Sequence, residues 1–228
     1  VDRATLESPP SMGVLKVADT RRALLRLAAA YRRTLEGTKV IAVVGSNGKT
    51  TTVRLITSVL SQAMRGSASI KSFNNDIGVP LTILGAAPGS GFLICEVGTN
   101  SPSEIARLSE VVAPDIAVIT SIGREHLEKL GSLQGVAREE ASVLEFVRRG
   151  GAGIYNADAP HLAETIGAMP TRPQALISFG FGTGADVQIV DTVQSPEGIE
   201  LTLNDRARFR IGLLGRHNAS NAAAAVAV

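Results

Sequence analysis

The chain has 228 residues, of which 44% are hydrophobic and 19% charged, a balance typical of a globular protein with a sizeable core. A formal net charge of +2 is too small to indicate a nucleic-acid partner, and no apolar run approaches the ~20 residues that span a bilayer. Cys95 is the only cysteine, which excludes an internal disulfide and fits a reducing, cytoplasmic compartment.

Helical patterns alternate with short apolar runs over most of the chain. A first helix is expected over 21–35, with Asp19 or Thr20 as its cap. The predicted strands are 40–44, 92–97, 116–120, 152–156 and 175–179, and the predicted helices between them are 49–64, 102–112 (capped by Ser101), 133–148 and 159–169. Such alternation predicts a three-layer α/β domain with a mostly parallel sheet covered on both faces.

The pattern changes at Val187. Residues 187–213 indicate three strands with turns at 195–198 and 204–206, followed by a last helix. We therefore expect a separate, small antiparallel sheet in addition to the parallel one. The five arginines of the first helix either contact phosphate or form a solvated helix face.

Residues 40–54 read VIAVVGSNGKTTTVR, a strand, a glycine-rich turn and the start of a helix. Backbone N–H groups at a helix N-terminus bind anions, and the glycines allow close approach to phosphate. Lys49 can reach the β- and γ-phosphates, and the Thr50 hydroxyl can bind Mg²⁺. The usual motif has glycine where Val43 stands, so the loop is a shortened variant. The alternative is a glycine turn with a surface lysine.

Four further stretches, 71–84, 96–108, 119–142 and 214–225, accompany this loop. Together the five stretches resemble the central, ATP-binding domain of the Mur ligases, whose members carry the shortened loop. The strings Asn-Asn-x-Ile-Gly-x-Pro-Leu and Gly-Ser-Leu-x-Gly-Val-Ala point to those members that add D-alanyl-D-alanine to a UDP-N-acetylmuramoyl tripeptide. The resemblance covers about residues 14–228.

The resemblance implies ATP-dependent amide formation through an acyl phosphate, with Mg²⁺, in the synthesis of peptidoglycan precursors. It implies a cytoplasmic enzyme that acts on UDP-muramoyl tripeptide and D-Ala-D-Ala, without nucleic acid or membrane insertion, and we expect a monomer. Residues 1–36 are expected to be the remnant of an N-terminal domain with a linker helix, and 37–228 the central domain, with the C-terminal domain absent.

The family's motifs also assign roles to individual residues. Catalytic roles fall on Lys49, Glu96, His126 and Glu140, and Mg²⁺ binding on Thr50, Glu96, His126 and Glu140. The nucleotide is expected at Gly45, Ser46, Asn47, Gly48, Lys49, Thr50 and Thr51, with its base at Asn218 and Asn221, and the muramoyl peptide at Asn74 and Asn75. Asn218 and Asn221 are three residues apart, which places both on one helix face. Asn156 and Asp158 either help at the base or form a helix cap.

Glu140 departs from the family pattern. Members generally have, in the register Gly-Val-Ala-x-x-Lys, a lysine that becomes a carbamate and helps bind the second metal ion; here the string reads GVAREE. Glu140 either substitutes directly for the carbamate, on a stem shorter by roughly 3–4 Å, or the second metal site is weakened or lost. We favour the substitute, because a neutral loss would rarely restore a carboxylate.

Two other functions stay open. One is another ligase of the superfamily, such as a cyanophycin or poly-γ-glutamate synthetase, against which the Asn-Asn-x-Ile-Gly-x-Pro string argues. The other is a non-catalytic nucleotide-binding module, supported only by Glu140.

Overall fold

The computed structural model describes residues 15–71 and 73–228. Its strands are β1 (Lys39–Val44), β2 (Gly66–Ala68), β3 (Phe92–Glu96), β4 (Ile116–Ile119), β5 (Ala152–Asn156), β6 (Ala175–Gly180), β7 (Val187–Ser195), β8 (Gly198–Leu203) and β9 (Ala207–Ile211). Its helices are α1 (Thr20–Thr34), α2 (Lys49–Leu60), α3 (Gly78–Leu84), α4 (Glu104–Val112), α5 (Leu127–Leu130), α6 (Leu133–Ala141), α7 (Leu162–Ala168) and α8 (Arg216–Ala227), with a 3₁₀ helix at Ser142–Phe146.

The nine strands form one sheet in the order β2-β3-β1-β4-β5-β6-β7-β8-β9. The strands β1 to β6 all pair in parallel, with β1 between β3 and β4. The predicted α/β fold with a mostly parallel sheet is therefore confirmed. In such sheets ligands bind outside the carboxyl ends of the strands, on either side of the point where the strand order reverses. Here that point is the end of β1.

Two hydrophobic cores lie on opposite faces of the sheet and make the fold three-layered. Along β1, Val40, Ala42 and Val44 pack into one core, together with residues of α1, α3, α4, α6 and α7. Ile41 and Val43 pack into the other, with α2, α8 and the antiparallel strands. Five of the six β1 side chains, those of residues 40–44, are buried, which is why the strand after Lys39 is apolar rather than alternating.

The three last strands are antiparallel as predicted, but they are not separate from the main sheet. The first two residues of β7 pair in parallel with β6, and from Ile189 onwards β7 pairs antiparallel with β8, with a register shift between Ile189 and Asp191. The Asp186 carboxylate accepts hydrogen bonds from the Ser178 N–H and hydroxyl, at 2.8 and 2.7 Å. This contact holds the start of β7 against β6 and makes the sheet continuous.

Several helix boundaries differ from the expectation. Ser101 does not cap α4; instead the Glu139 carboxylate, from α6, accepts from the N–H groups of Ser103 and Ile105. A side chain distant in sequence thus replaces the local cap. The helix predicted over 133–148 changes to a 3₁₀ helix at Ser142, whose hydroxyl donates to the Glu139 carbonyl. The helices predicted over 49–64 and 159–169 are also shorter, as α2 and α7.

Three short elements, β2, α3 and α5, were not predicted. The stretch that contains α3 carries Pro80 and resembles a turn. Pro80 lies in the first turn of α3, where a backbone N–H has no intrahelical partner, so the ring is tolerated there.

Of the five arginines in α1, Arg32 is buried and donates to the carbonyls of Val112 and Ala113 and to the Asp115 carboxylate. Its role is structural, and the other four are exposed. No helix within 15–71 or 73–228 combines the length and apolarity that crossing a membrane requires.

Candidate active site

The glycine-rich loop lies between β1 and α2, at the carboxyl edge of the sheet. Gly45 and Gly48 have φ of 126° and 86°, in the region that favours glycine. A Cβ on Gly45 would lie 2.2 Å from the Thr120 hydroxyl oxygen, and one on Gly48 would lie 2.3 Å from Asn221 Oδ1. Both glycines are thus required by backbone conformation and by close packing.

The N–H groups of the loop fall into two sets. Those of Gly45, Ser46 and Asn47 are bonded within the protein, to Glu140 Oε2 (2.8 Å), the Ser121 carbonyl (2.9 Å) and the Ser121 hydroxyl (2.9 Å). Those of residues 48–51 have no hydrogen-bond partner among the described residues. Four free N–H groups at the start of a twelve-residue helix, with its dipole behind them, form an anion-binding site.

Lys49 lies folded over the loop. Its Nζ donates to the carbonyls of Gly45 and Ser46, at 2.6 and 3.0 Å. Beside it lies an open cavity of ≈ 320 Å³, lined by residues 46–51 with Asn74, Glu96 and Glu125. The ammonium group and the free N–H groups therefore share one cavity with two carboxylates.

Glu96 ends β3 in this cavity and is 1% exposed. Its Oε2 accepts from the Thr50 hydroxyl at 2.7 Å, and its Oε1 accepts from the Asn74 amide at 3.0 Å. The structure thus brings together three residues that were singled out in three separate sequence stretches. The orientation of the carboxylate is fixed from both sides.

The Thr50 and Glu96 oxygens fit a magnesium ion. Adjacent ligands of an octahedral Mg²⁺ are ~2.9 Å apart, given metal–oxygen bonds of about 2.05 Å, and the two oxygens here are 2.7 Å apart. The described residues contain no group of three or more His, Cys, Asp or Glu side chains placed to hold a metal ion. Mg²⁺ usually takes one or two protein ligands and completes its shell with phosphate and water.

His126 and Glu140 lie on the other side of Lys49, where they line a narrow cavity together with Glu125. Burial raises the pKa of Glu140 to about 7, while the Lys49 charge and the Gly45 N–H act in the opposite direction. As placed, these three side chains do not form a metal-binding group. The assignment of His126 and Glu140 to a second metal ion stays a prediction.

Asn221 of α8 lies against the loop, on the face of the sheet opposite to α6, and is hydrogen-bonded to Asn218. Asn221 is buried, touches Gly48 and donates to Asn218 Oδ1 at 3.1 Å, and Asn218 donates to the Leu214 carbonyl. Nearby, the Arg216 guanidinium stacks on the Phe181 ring, 3.6 Å from its centroid. This pair was missed, because nothing in the sequence joins a loop aromatic residue after β6 to the start of α8.

Other predicted residues have local roles. Asn75 is exposed, does not line the cavity, and accepts from the N–H groups of Ile77 and Gly78 at the start of α3. Asn156 donates to the Thr120 carbonyl, and both oxygens of Asp158 accept from the loop after β6. Asp158 therefore fastens that loop and does not cap a helix.

The fold and the loop define an α/β domain of the P-loop type. The family model described as Mur ligase middle domain matches residues 43–228. The chain belongs to the Mur ligase family.

Within the family, the chain is similar to ligases of one kind. The UDP-N-acetylmuramoyl-tripeptide–D-alanyl-D-alanine ligase of Bacillus subtilis (strain 168) is 39% identical over 227 residues, which is 99% of this chain and 48% of that protein. The enzyme of the same name from Haemophilus influenzae is 34% identical over 96% of this chain and 48% of its own length. A crystal structure of MurF from Acinetobacter baumannii has a TM-score of 0.84 at 31% identity, covering 97% of this chain and 49% of that one. The chain spans about half the length of these proteins.

Proposed function

We propose that this chain is the ATP-binding part of a UDP-N-acetylmuramoyl-tripeptide–D-alanyl-D-alanine ligase, which forms an amide through an acyl phosphate in peptidoglycan precursor synthesis. The observation that carries the proposal is one cavity in which four free N–H groups and Lys49 lie beside the Thr50–Glu96 pair. The similarity to ligases of that name supports the choice of substrates, UDP-muramoyl tripeptide and D-Ala-D-Ala.

The reaction brings a substrate carboxylate towards the terminal phosphate of ATP, so an anion approaches an anion. Two unit charges 4 Å apart repel by roughly 4 kcal/mol at an effective dielectric of 20. The N–H groups of 48–51 and the Lys49 ammonium lower this repulsion by binding phosphate oxygens. When bound, Mg²⁺ supplies further positive charge between the phosphates. Thr50 and Glu96 would hold it, and the Asn74 amide keeps the Glu96 carboxylate turned towards Thr50.

At the other end of the nucleotide, we propose that Asn218 and Asn221 receive the base, since an amide offers both a donor and an acceptor. Asn74, which lines the cavity, is proposed to lie towards the muramoyl peptide, with Asn75 supporting it as the cap of α3. We further propose that residues 37–228 are the central domain, that 1–36 belong to an N-terminal domain and its linker, and that the protein is a cytoplasmic monomer without a nucleic-acid partner.

The proposal is tested first on nucleotide binding. In Lys49→Ala the charge facing the phosphates disappears, so the affinity for ATP, measured by calorimetry with Mg²⁺, should fall at least ten-fold. Lys39→Ala is the matched control, because Lys39 is exposed at the opposite end of the strand that leads into the loop. Equal ATP affinity of Lys49→Ala and the parent protein would contradict the assignment of the loop.

The second test is the reaction itself. The full-length protein, given ATP, D-Ala-D-Ala and a series of UDP-muramoyl tripeptides, should release phosphate and form the pentapeptide product. Phosphate release with glutamate chains or aspartate–arginine polymers instead would indicate another ligase of the superfamily. Nucleotide binding without turnover on any of these substrates would favour a non-catalytic module, for which Glu140 is the sequence support.

A further inference from the structure

Glu140 makes a contact that the family comparison does not explain. Its Oε2 accepts a 2.8 Å hydrogen bond from the N–H of Gly45, the residue that opens the phosphate loop. Glu140 lies on α6 and is 3% exposed, so the bond is buried and shielded from water. We propose that Glu140 is a positioning residue that fixes the first peptide of the loop, and thereby the phosphate-binding groups that follow it. This inference rests on the proposed nucleotide-binding function.

The peptide that joins Val44 to Gly45 is held at both ends. Its N–H is bonded to Glu140, and its carbonyl accepts from the Thr120 N–H at 3.0 Å. The Thr120 hydroxyl is 3.0 Å from the same carbonyl and 2.6 Å from the Asn47 carbonyl, so it links both to β4. Thr120 follows β4, and Glu140 comes from a helix that packs on the same face of the sheet as α4 and α7. Two residues that are both far from the loop in the chain therefore set the orientation of a single peptide plane.

This orientation decides which N–H groups of the loop face the cavity. The N–H groups of Gly45, Ser46 and Asn47 are directed to Glu140 and Ser121, which leaves those of 48–51 for phosphate. The next carbonyl, that of Gly45, accepts from Lys49 Nζ at 2.6 Å. If the Val44–Gly45 peptide rotated, both the direction of the free N–H groups and the resting place of the lysine would change.

The neighbouring residue, Glu139, also accepts backbone hydrogen bonds, but at the start of α4. Its two oxygens accept from the N–H groups of Ser103 and Ile105, at 2.8 and 2.9 Å, at the start of α4. Glu139 is also buried and on the same helix, but it does not touch the phosphate loop. It is therefore a matched control, which shares the burial and helix of Glu140 and lacks its loop contact.

Two substitutions separate the reach of Glu140 from its charge. Glu140→Gln removes the ionisable carboxyl group but keeps a carbonyl oxygen that can accept from Gly45. Glu140→Asp keeps the charge but withdraws the acceptor by one carbon–carbon bond, ~1.5 Å. A buried N–H that loses its acceptor is costly, so the aspartate variant should disturb the loop more than the glutamine variant.

The test is binding of ADP and of AMP by the full-length protein, measured by calorimetry in EDTA so that metal binding does not contribute. AMP lacks the β-phosphate that the loop would bind and so reports the base, the ribose and the α-phosphate. We expect Glu140→Asp to weaken ADP binding roughly ten-fold while AMP binding stays within two-fold of the parent. Glu140→Gln should lose less ADP affinity than Glu140→Asp, and the control Glu139→Asp should bind ADP within two-fold of the parent.

Three results would overturn the inference. Parent-like ADP binding by Glu140→Asp would show that the contact does not position the loop. A larger ADP loss in Glu140→Gln than in Glu140→Asp would assign the role to the charge. Equal losses of ADP and AMP affinity in Glu140→Asp would indicate general damage to the site. If the parent protein itself bound no ADP, the proposed function would be contradicted as well. That outcome differs from the three above, in which the parent protein binds ADP.

Discussion

The Thr50 hydroxyl donates a 2.7 Å hydrogen bond to the Glu96 carboxylate, which joins the first turn of α2 to the end of the neighbouring strand β3. The bond closes this edge of the site. In the proposed function the same two oxygens, which have the spacing of adjacent magnesium ligands, would hold Mg²⁺.

The Thr50 side chain should therefore decide the response of nucleotide binding to magnesium. In Thr50→Val the hydroxyl is lost while the shape is kept. Mg²⁺ raises the affinity for ADP by some factor in the parent protein, and we expect that factor to be at least five-fold smaller in Thr50→Val. Thr50→Ser retains the hydroxyl and is the control. The measurement is calorimetry with ADP at several Mg²⁺ concentrations, and an unchanged Mg²⁺ response in Thr50→Val would remove Thr50 from the metal site.

Gly48 and Gly37 both have positive φ, 86° and 78°, but different surroundings. A Cβ at Gly37 has no atom within 4 Å, so Gly37→Ala should cost about 1 kcal/mol of unfolding free energy from backbone strain alone. A Cβ at Gly48 would meet the buried Asn221 amide, so Gly48→Ala should cost more and also weaken ADP binding. Urea unfolding and calorimetry with ADP compare the two variants. Equal losses of unfolding free energy and of ADP affinity would mean that the Asn221 side chain moves aside at no cost.

Arg32 provides the largest expected effect on stability. Its guanidinium is 4% exposed, donates to two carbonyls and lies 3.2 Å from the Asp115 carboxylate. Arg32→Met leaves Asp115 without this partner and should lower the free energy of unfolding by about 3 kcal/mol. Arg33→Met, on the exposed side of the same helix, should change it by less than about 0.5 kcal/mol. A small effect of Arg32→Met in urea unfolding would show that the pocket relaxes around the apolar side chain.

The ionisation of Asp186 should make the free energy of unfolding depend on pH. Hydrogen bonds from the Ser178 N–H and hydroxyl lower the pKa of Asp186 below its ordinary value of 3.8. A lowered pKa stabilises the folded state above the unfolded pKa, and this contribution is lost as the pH falls through the folded pKa. Asp186→Asn should therefore be less stable than the parent at pH 7, and the difference should shrink below pH 3.8. Urea unfolding of both proteins from pH 7 to 3 measures this, and a constant difference would exclude ionisation as its cause.

The parallel part of the fold could be predicted because its signals are local. The apolar run of β1 and the glycine-rich turn that follows fix the site at one edge of the sheet, and the alternation of helices and strands builds the rest. The cap of α4 and the junction between β6 and β7 could not be predicted, since both depend on carboxylates, Glu139 and Asp186, that act across the fold.

In the candidate site, too, residues marked by local motifs could be predicted, and contacts between distant elements could not. The phosphate-loop motif singles out Lys49 and Thr50, and the family resemblance singles out Glu96; the structure places all three in one cavity. The contact of Glu140 with Gly45 joins residues on α6 and on the loop after β1, and no periodicity or turn signal reports such a pairing. The stacking of Arg216 on Phe181 is hidden for the same reason.

The packing of Asn221 on Gly48 has a consequence for how the protein is made. A long stretch of chain separates Gly48 from Asn221, so this contact at the loop can form only after α8 has been synthesised. Contacts of such high sequence separation form late and slow folding. During translation, the strands and helices up to β6 would emerge with an unfinished loop, and ADP added to stalled nascent chains should bind only once α8 has left the ribosome.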